Sequence, residues 1–463
     1  MSNKEPNSKR KLFGTDGIRG RANEEPMSPD LILRLGQAIG RYFKQHHEAP
    51  KIVIGKDTRR SGYMLEQALG SGICSVGVDT LLLGPIPTPG IAYLTRGLRA
   101  NAGIVISASH NPYYDNGIKV FSKDGYKLPD EAEIELENLA FNSKSAKLPT
   151  GKAIGRSRRI DDAIGQYAVF LKEQFPKHLT LEGLRIIIDT ANGAGYEVAP
   201  KVFEELGAEI FVLANKPNGF NINDQCGALH PENLVENVKL YKADLGIALD
   251  GDADRLVLVD DKGEIVDGDE TLAICGKFLL EKNSLKGNAL VSTVMSNLGL
   301  DIAIEKSGGK VIRTKVGDRY VVEEMRKNNY NLGGEQSGHL VFRDCSTTGD
   351  AILAALHVLE VVLEKGQTLH ELKKCMIRLP QVLKSIDVKE KIPIDNMPDL
   401  EKTITKMEQK LGKSGRILFR YSGTEKKARI MVEGDNQKLI EDMALELAEA
   451  TTSSIQKYRS ATH

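Results

Sequence analysis

Three aspartates alternate within the six-residue segment DGDADR (250–255). Asp250, Asp252 and Asp254 follow the apolar run LGIALD, which reads as a buried strand. Three carboxylates this close together repel one another unless a cation compensates them. Oxygen ligands suit a hard divalent cation. The segment therefore predicts a metal loop, although a solvated acidic turn has a similar composition.

Two other kinds of site share part of this pattern. An EF-hand loop requires Gly at its sixth position and Glu at its twelfth. This chain has Arg255 and Asp261 there, and a strand rather than a helix precedes the loop. An aspartyl phosphatase places a nucleophilic aspartate at the end of an apolar strand. The loop alone does not separate that use from a metal site.

A serine in a second polar loop is a candidate phosphate carrier. Ser109 lies in SASHNP, where the Asn-Pro pair forces a turn. A serine hydroxyl is a poor nucleophile unaided, but it can carry a phosphoryl group if a metal neutralises the charge. Lys119 lies ten residues further on and is a candidate general acid/base or phosphate clamp. The alternative is a plain turn in which Ser and Asn act as local caps.

A third polar loop, GGEQSGH (333–339), is a candidate for binding a sugar. Alternate side chains of an extended segment share one face. We therefore expect Glu335 and Ser337 to bind two adjacent sugar hydroxyls, with His339 nearby. A simple hairpin turn is the alternative.

A fourth loop, FRYSGTEKKAR (419–429), combines small residues with arginines. Small residues leave backbone N–H groups open to form an anion nest, and arginine binds anions through two donors. A hairpin with ordinary surface arginines is the alternative. The candidate anion-binding residues are Arg420, Ser422, Gly423, Thr424 and Arg429. Two Gly-rich stretches, FGTDGIRG with Arg19 and GKDTRRSG at a strand-to-helix junction, add further cations.

The first three loops occur at corresponding places in three similar units. Each unit has an apolar run, a turn, a helical stretch and two further apolar runs. The runs are KIVIG (51–55), TLLLG (80–84) and GIVIS (103–107); LRIIID (184–189), AEIFVL (208–213) and LGIALD (245–250); and NALVST (288–293), GKVIRT (309–314) and the weaker NYNLGG (329–334). Such runs predict buried strands, and their alternation with helices predicts mixed or parallel sheets covered by helices. Ligands bind beyond the carboxyl ends of such strands.

The pattern changes after about residue 373. Two short strands around a loop at 415–434, and a helix from about 436 to 457, predict a smaller α+β domain. The segment 385–413 has mixed signals, including Pro393 and Pro398, and supports no assignment.

Length, charge and cysteine content limit the class of protein. A chain of 463 residues is too long for one core. Lys+Arg and Asp+Glu are each 63, and this zero formal charge argues against a nucleic-acid or anionic-membrane partner. Five scattered cysteines without a C-x-x-C pair indicate reduced thiols. With no apolar secretory signal and no membrane-spanning run, we expect a cytoplasmic protein.

The ordered set GTDGIRG, SASHNP, DGDADR, GEQSGH and SGTE resembles the α-D-phosphohexomutase superfamily, over residues 12 to about 434. The resemblance implies an α/β, four-domain architecture, with three related mixed α/β domains and a smaller C-terminal α+β domain around a central cleft. The expected domains are I at 1–155 with the phosphoserine loop, II at 156–258 with the metal loop, III at 259–372 with the sugar-binding loop and IV at 373–463 with the phosphate-binding loop.

Within the superfamily, the chain is similar to the branch that acts on glucosamine phosphates. The similarity is carried by Gln336 of GEQSGH and by the segments NINDQCGALHPE (221–232), VGDRYV (316–321) and TTGDAILAAL (347–356). It implies interconversion of glucosamine 6-phosphate and glucosamine 1-phosphate, with glucosamine 1,6-bisphosphate as intermediate and activator. The implied partner is a small phosphosugar, and the chain is expected to be a monomer or homodimer. A glucose or mannose phosphate mutase, a metal-dependent phosphatase and a non-catalytic phosphosugar sensor are the alternatives.

The resemblance also implies a role for each candidate residue. Ser109 becomes a phosphoserine and holds one Mg²⁺ per subunit together with Asp250, Asp252 and Asp254. Glu335 and Ser337 bind sugar hydroxyls. The residues that bind the non-transferred phosphate are Arg420, Ser422, Gly423, Thr424 and Arg429. The residues that surround the transferring group are Arg19, Lys119, Arg255 and His339.

The chain departs from the superfamily pattern at two positions. Ala253 stands where the superfamily usually has Gly, and Lys426 where it usually has Pro. Ala253 is expected to point away from the metal loop and to be tolerated if its backbone stays at negative φ. Lys426 is expected either to loosen the phosphate loop or to add a cation to it. Neither change removes a ligand.

Overall fold

The structure, a computed structural model, describes residues 12–14, 16–142, 147–421 and 426–462. The chain divides into two units. Unit 1 comprises Met1–Thr293 and Ser307–Cys375, and unit 2 comprises Val294–Lys306 and Met376–His463. None of the helices in the described part of the chain has the length and apolarity needed to cross a membrane.

The first sheet of unit 1 contains six strands. They are β1 (Ile18–Arg21), β2 (Lys51–Lys56), β3 (Asp79–Pro85), β4 (Ala102–Ile106), β5 (Asp115–Ser122) and β6 (Ser157–Arg159), with helices α1 (Pro29–His46), α2 (Arg60–Ser75), α3 (Thr88–Gly97) and α4 (Asp130–Asn142). Their order is β1-β5-β4-β2-β3-β6, and β5 is antiparallel to both of its neighbours. All five residues of β4 are buried, which fits a central strand covered on both faces.

The second sheet of unit 1 contains five strands. The elements of this stretch are α5 (Ala163–Glu173), β7 (Arg185–Asp189), α6 (Val198–Glu205), β8 (Glu209–Leu213), α7 (Glu232–Tyr241), β9 (Leu245–Leu249), β10 (Leu256–Asp260) and β11 (Ile265–Val266). The order of the strands in this sheet is β11-β10-β9-β7-β8. β7 is parallel to β8 and β9, whereas β9 and β10 form an antiparallel pair.

The third sheet of unit 1 contains four strands. The elements of this stretch are α8 (Gly268–Glu281), β12 (Ala289–Thr293), α9 (Leu298–Lys306), β13 (Lys310–Thr314), α10 (Asp318–Asn328), β14 (Leu332–Gly334), β15 (Leu340–Phe342), α11 (Ala351–Lys365) and α12 (Leu369–Leu372). Of these, α9 belongs to unit 2. The order is β13-β12-β14-β15, with β12 parallel to β13 and β14 and with β14 antiparallel to β15.

The three sheets share one pattern of strands. In each, two parallel strands are followed by a third parallel strand on the other side of the first. That third strand, β4, β9 or β14, leads through a polar loop into an antiparallel fourth strand. The loops are SASHNP, DGDADR and GEQSGH in turn. The threefold α/β pattern predicted from the sequence is therefore confirmed.

Unit 2 contains a small antiparallel sheet and two long helices. Its other elements are β16 (Gln381–Asp387), α13 (Pro398–Leu411), β17 (Gly415–Tyr421), β18 (Lys427–Gly434) and α14 (Gln437–Thr462), and the strand order is β16-β18-β17. The segment 385–413, whose sequence signals are mixed, contains α13. Pro398 stands at the first helical position of α13, where the missing N–H is not needed. The bounds between the four domains stay a prediction.

Candidate active site

Ser109 lies in the loop between β4 and β5, and it is 1% exposed. Its backbone has φ of +51°. This left-handed conformation costs a non-glycine residue about 1–2 kcal/mol, so neighbouring groups have to hold it. The Ser109 hydroxyl donates a hydrogen bond of 2.6 Å to Oδ2 of Asp250. The structure thus brings the candidate phosphate carrier to the acidic loop.

Two side chains clamp the backbone of the serine loop. Nη2 of Arg59 donates to the carbonyl oxygens of Ser109 and Asn111, at 3.0 and 2.5 Å. Nδ2 of Asn223 donates to the same two oxygens, at 2.9 and 3.1 Å. Arg59 is fully buried and paired with Asp57. Its guanidinium is therefore committed to the serine loop rather than open to an anion at the start of α2.

The metal loop joins the antiparallel strands β9 and β10. Asp250, Asp252 and Asp254 are all buried, and one oxygen of each lies within 4.8 Å of the others. Burial, reinforced by the other two carboxylates, raises the pKa of Asp250 well above its ordinary value. Burial also acts to raise the pKa of Asp254, but Lys119 and His339 hold it below its ordinary value. The neighbouring cations therefore offset burial at Asp254 but not at Asp250.

The oxygen atoms of this loop fit a hard divalent cation. Oδ1 of Asp250 accepts from the N–H groups of Asp254 and Arg255, each at 3.1 Å. Oδ1 of Asp252 and Oδ1 of Asp254 are buried and accept no hydrogen bond among the described residues. Buried carboxylate oxygens without partners are costly unless a cation takes that place. A strand-loop-strand geometry also excludes an EF-hand.

Ala253 corrects one sequence-based expectation. Its φ is +54°, not negative, and its side chain is fully buried. Its N–H donates to the carbonyl of Asp250 at 3.0 Å, and its carbonyl accepts from the N–H of Ala351 at 3.1 Å. The tight turn requires a left-handed residue here, a conformation that glycine adopts without strain. Gly251 in the same loop allows close approach, since a Cβ there would lie 2.5 Å from the Ser109 carbonyl oxygen.

Lys119, on β5, contacts the acidic loop directly. Its Nζ lies 3.1 Å from Oδ2 of Asp252, 3.6 Å from Oδ2 of Asp254 and 3.4 Å from Oδ2 of Asp16. Burial lowers the pKa of Lys119, but the three carboxylates outweigh burial and raise it. The side chain is therefore held as an ammonium cation. This favours the role of phosphate clamp over that of general base.

Arg19, on β1, supports the serine loop from the other side. Its Nη1 donates to the carbonyl of Ala108 at 3.0 Å and to Oδ1 of Asn111 at 3.1 Å. Its Nη2 pairs with Asp16. Arg19 thus connects the serine loop to Asp16, which also contacts Lys119.

Arg255 and His339 approach the metal loop at Asp254. Nε of Arg255 lies 3.9 Å from Oδ1 of Asp254, and Nδ1 of His339 lies 3.6 Å from Oδ2. Burial lowers the pKa of Arg255, but Asp254 and Asp250 raise it above its ordinary value. The N–H of Gly349 donates to Nε2 of His339 at 3.1 Å. Burial lowers the pKa of His339, but Asp254 and Asp318 raise it above its ordinary value.

The loop before β15 is a tight turn rather than an extended segment. The N–H of Glu335 donates to the carbonyl of His339, and the N–H of Gly338 to the carbonyl of Glu335, each at 3.0 Å. The expectation that Glu335 and Ser337 share one face of an extended chain is therefore wrong, because hairpin hydrogen bonds close the segment. Ser337 is exposed, and Oε1 of Glu335 accepts from the N–H of Gly317 at 3.0 Å.

In unit 2, two arginines of the predicted phosphate loop stand directly opposite each other. Arg420 of β17 pairs with Arg429 of β18 in the antiparallel register. Like charges at opposed positions destabilise a strand pair. Burial, and then Arg429, lower the pKa of Arg420. A bound anion would relieve this repulsion.

The remaining predicted phosphate-loop residues, Ser422, Gly423 and Thr424, lie outside the described residues. At the end of the loop, the side chain of Lys426 is exposed. Its carbonyl accepts from the N–H of Val388 at 2.8 Å.

Five further residues belong to the site, although sequence reasoning gave none of them a role. Thr88 donates through Oγ1 to Oδ2 of Asp252 at 2.6 Å. Asn223 holds the serine loop, and Lys127 pairs with both Asp16 and Asp318. Asp16, Asn223 and Asp318 lie within the motifs GTDGIRG, NINDQCGALHPE and VGDRYV, which mark them in the sequence. Nothing in the local sequence distinguishes Thr88 or Lys127.

Family models cover most of the chain. The phosphoglucomutase/phosphomannomutase α/β/α domains I, II and III match residues 10–147, 165–263 and 267–379, and the C-terminal domain matches residues 383–450. Four domains in this order confirm the four-domain α/β architecture expected from the sequence.

Curated relatives are similar over nearly the whole chain. The phosphoglucosamine mutase of Anaeromyxobacter sp. (strain Fw109-5) is 54% identical, with 95% of each chain covered. That of Geobacter metallireducens is 56% identical, with 96% of this chain and 99% of the relative covered.

Solved structures share the fold at lower sequence identity. A phosphoglucomutase/phosphomannomutase family protein from Burkholderia thailandensis matches with a TM-score of 0.81 at 22% identity, over 96% of this chain and 97% of that one. An N-acetylphosphoglucosamine mutase from Aspergillus fumigatus, in complex with GlcNAc-6P and magnesium, matches with a TM-score of 0.66 at 17% identity, over 96% of both chains. The chain therefore belongs to the phosphoglucomutase/phosphomannomutase family and is a mutase of the isomerase class.

Proposed function

We propose that this enzyme interconverts glucosamine 6-phosphate and glucosamine 1-phosphate, with Ser109 as the phosphate carrier. In the first half-reaction the bond between phosphorus and Ser109 Oγ breaks, and phosphorus bonds to O1 of the sugar. The product is bound glucosamine 1,6-bisphosphate. After this intermediate reorients, Ser109 takes the phosphoryl group from O6. The same bisphosphate serves as activator when it phosphorylates a free Ser109.

The observation that carries this proposal is the hydrogen bond from Ser109 to Asp250. It brings a buried hydroxyl to three carboxylates, two of which have an oxygen that accepts no hydrogen bond among the described residues. A phosphoserine carries about −1.5 to −2 charges at neutral pH and needs compensation at such a place. We propose that Asp250, Asp252, Asp254 and the phosphate on Ser109 hold one Mg²⁺, which supplies that compensation when bound.

The cations around the metal loop can balance the negative charge of the transferring phosphoryl group. Lys119 is held as an ammonium cation 3.1 Å from Asp252, and Arg255 and His339 approach Asp254. We assign these three residues, with Arg19, to the oxygens of the transferring phosphoryl group. Fixed cations aimed at a transferring phosphoryl group stabilise its transition state.

Binding of the rest of the substrate is assigned to two other loops. We propose that Glu335 and Ser337 bind sugar hydroxyls from the tight turn before β15. The opposed Arg420 and Arg429, with Ser422, Gly423 and Thr424, would bind the phosphate that is not being transferred. The repulsion between the two arginines supports an anion there. Glucosamine is chosen as the sugar because the curated relatives are named phosphoglucosamine mutases.

The phosphatase alternative requires an aspartate with a free nucleophilic oxygen at the end of β9. Both oxygens of Asp250 already accept hydrogen bonds, from Ser109 and from the N–H groups of Asp254 and Arg255. This geometry suits a ligand held in place rather than a nucleophile.

The substrate is tested by comparing kcat/KM for glucosamine, glucose and mannose 6-phosphates in a coupled assay with Mg²⁺ and the matching bisphosphate. The proposal requires the highest value for glucosamine 6-phosphate. A higher value for glucose or mannose 6-phosphate would assign the enzyme to a sibling activity. Release of inorganic phosphate without the 1-phosphate would favour a phosphatase. Tight binding of the phosphosugar without turnover would favour a sensor.

A further inference from the structure

Six side chains form a closed ring beside the metal loop, in which three carboxylates alternate with two ammonium groups and one imidazole. We call it the carboxylate ring, and its members in order are Asp254, Lys119, Asp16, Lys127, Asp318 and His339. The successive distances between nitrogen and oxygen atoms are 3.6, 3.4, 2.6, 2.5, 3.7 and 3.6 Å, the last of which returns from His339 to Asp254.

The carboxylate ring joins parts of the chain that are far apart in sequence. Asp16 precedes β1, Lys119 is on β5, and Lys127 lies between β5 and α4. Asp318 is the first residue of α10. The Lys127–Asp318 ion pair therefore connects the first sheet of unit 1 to its third, across 191 positions of sequence.

Ionic pairing in the far half of the ring is strong enough to outweigh burial. Burial lowers the pKa of Lys127, but Asp318 and Asp16 raise it above the ordinary value. Burial acts to raise the pKa of Asp318, whereas Lys127 and His339 hold it below the ordinary value. The Lys127 and Asp318 side chains are only 13% and 16% exposed, so solvent screens this pair weakly.

The ring gives Lys119 and His339 two anchors each. One anchor is shared, because both side chains contact Asp254. The other anchors are Asp16 for Lys119 and Asp318 for His339. A cation bound at the metal loop would share the charge of Asp254 and also that of Asp252, which lies 3.1 Å from Lys119, and would weaken both contacts. The orientation of the side-chain nitrogens of Lys119 and His339 then depends on Asp16 and Asp318. Lys127 pairs with both of these carboxylates and holds them together.

We propose that Lys127 and Asp318 are positioning residues, which keep Lys119 and His339 directed at the phosphoryl group on Ser109. This inference rests on the proposed phosphoryl transfer. Neither Lys127 nor Asp318 is assigned a contact with the substrate. Their effect is exerted through Asp16 and the two nitrogens that face the metal loop.

The rival explanation is that the Lys127–Asp318 pair only staples two sheets together. The two explanations predict different effects of Lys127→Met on kcat and on stability. They also predict different effects on kcat and stability for Lys127→Arg, which keeps the charge, and for the double variant Lys127→Met/Asp318→Asn. The matched control is Lys286→Met, which breaks an exposed pair with Asp344 outside the site.

The experiment measures kcat, KM, the melting temperature and the phosphorylation of Ser109 for each variant. It uses the full chain and whichever hexose phosphate the wild type turns over fastest. If Lys127 is a positioning residue, Lys127→Met lowers kcat by about tenfold to a hundredfold while KM changes by less than about threefold, because small misplacements of catalytic groups have such effects. Lys127→Arg recovers most of the lost kcat, and the double variant is no slower than Lys127→Met.

The proposal is overturned if Lys127→Met keeps the kcat of Lys286→Met, or if it lowers only the melting temperature. Equal losses of kcat in Lys127→Met and Lys127→Arg would also overturn it. Failure of the wild type on glucosamine 6-phosphate would count against the proposed substrate alone, because the ring is tested with the preferred hexose phosphate.

Discussion

Oγ of Ser109 lies 2.6 Å from Oδ2 of Asp250, although the two residues are 141 positions apart. β4 and β9 occupy equivalent places in two similar sheets, and each leads into one of the two polar loops that hold these residues. The buried hydroxyl donates to a carboxylate whose ordinary charge is opposed by burial and by its neighbours. A serine so placed is ready to exchange this hydrogen bond for a phosphate and a cation.

Binding of Mg²⁺ is predicted to stabilise the protein through the metal loop. A ligand present at about 100 times its Kd stabilises the folded state by about 2.7 kcal/mol. Addition of Mg²⁺ should therefore raise the melting temperature, and EDTA should reverse the rise. Asp252→Asn should lose most of the effect, because it removes a negative charge at a carboxylate whose Oδ1 accepts no hydrogen bond among the described residues.

The control for metal binding is Asp399→Asn, since Asp399 is an exposed residue of unit 2 that pairs with Lys457. Calorimetric titration of each variant with Mg²⁺ gives the affinity without any turnover. An equal response of Asp252→Asn and the wild type would place the cation elsewhere.

Replacement of Ala253 by glycine is predicted to stabilise the metal loop. A left-handed conformation costs alanine about 1–2 kcal/mol, and the extra freedom of glycine in the unfolded chain offsets about 0.4–1 kcal/mol of that. Ala253→Gly should thus raise the free energy of unfolding by roughly 0.5–1 kcal/mol. Ala354→Gly, inside α11, should lower it by about 1 kcal/mol or more. Differential scanning calorimetry would detect both shifts. A lower melting temperature for Ala253→Gly would show that the left-handed backbone of Ala253 is not strained.

A buried Tyr–Asp pair predicts a pH-dependent difference in stability. Tyr167 donates to Oδ2 of Asp350 at 2.7 Å, and burial raises the pKa of Asp350 to about 6. Because the folded state then holds a proton that the unfolded state releases near pH 4, stabilisation is present at low pH and lost as pH rises to about 6. The shift corresponds to about 3 kcal/mol.

The measurement for this pair is the difference in melting temperature between wild type and Asp350→Asn, at pH values from 4.5 to 7.5. Asparagine cannot titrate, yet it still caps α11 by accepting from Leu353. The difference should move in favour of Asp350→Asn as pH rises. A constant difference would show that Asp350 is ionised throughout this range.

The clamp on the serine loop is predicted to matter for transfer more than for substrate binding. Asn223→Ala removes two hydrogen bonds to carbonyl oxygens of the loop and so weakens the restraint on the left-handed Ser109. We expect kcat to fall about tenfold or more, because the hydroxyl loses its alignment. Asn237→Ala, on the exposed face of α7, is the matched control. Equal kcat values for the two variants would show that Arg59 and Arg19 hold the loop without Asn223.

Much of the fold was predictable because apolar runs mark buried strands. KIVIG, LRIIID and NALVST correspond to β2, β7 and β12 within a residue or two at each end. The weak run NYNLGG forms only the three-residue β14, since two of its residues are glycines without side chains to pack.

The parts of the site that escaped prediction depend on tertiary contacts. Lys127 acts through carboxylates 111 and 191 positions away, which no local pattern records. The positive φ of Ala253 depends on how its turn packs against Ala351. Glu335 and Ser337 were placed on an extended segment because alternation of polar residues also occurs in turns.

The central claim, that Ser109 carries the phosphate, is tested most directly by peptide mass spectrometry of a single turnover. Wild-type enzyme treated with glucosamine 1,6-bisphosphate should carry phosphate on Ser109, and addition of glucosamine 6-phosphate should remove it as bisphosphate forms. Ser109→Ala should neither take up phosphate nor turn over. An acyl phosphate on Asp250, or full turnover by Ser109→Ala, would contradict the account.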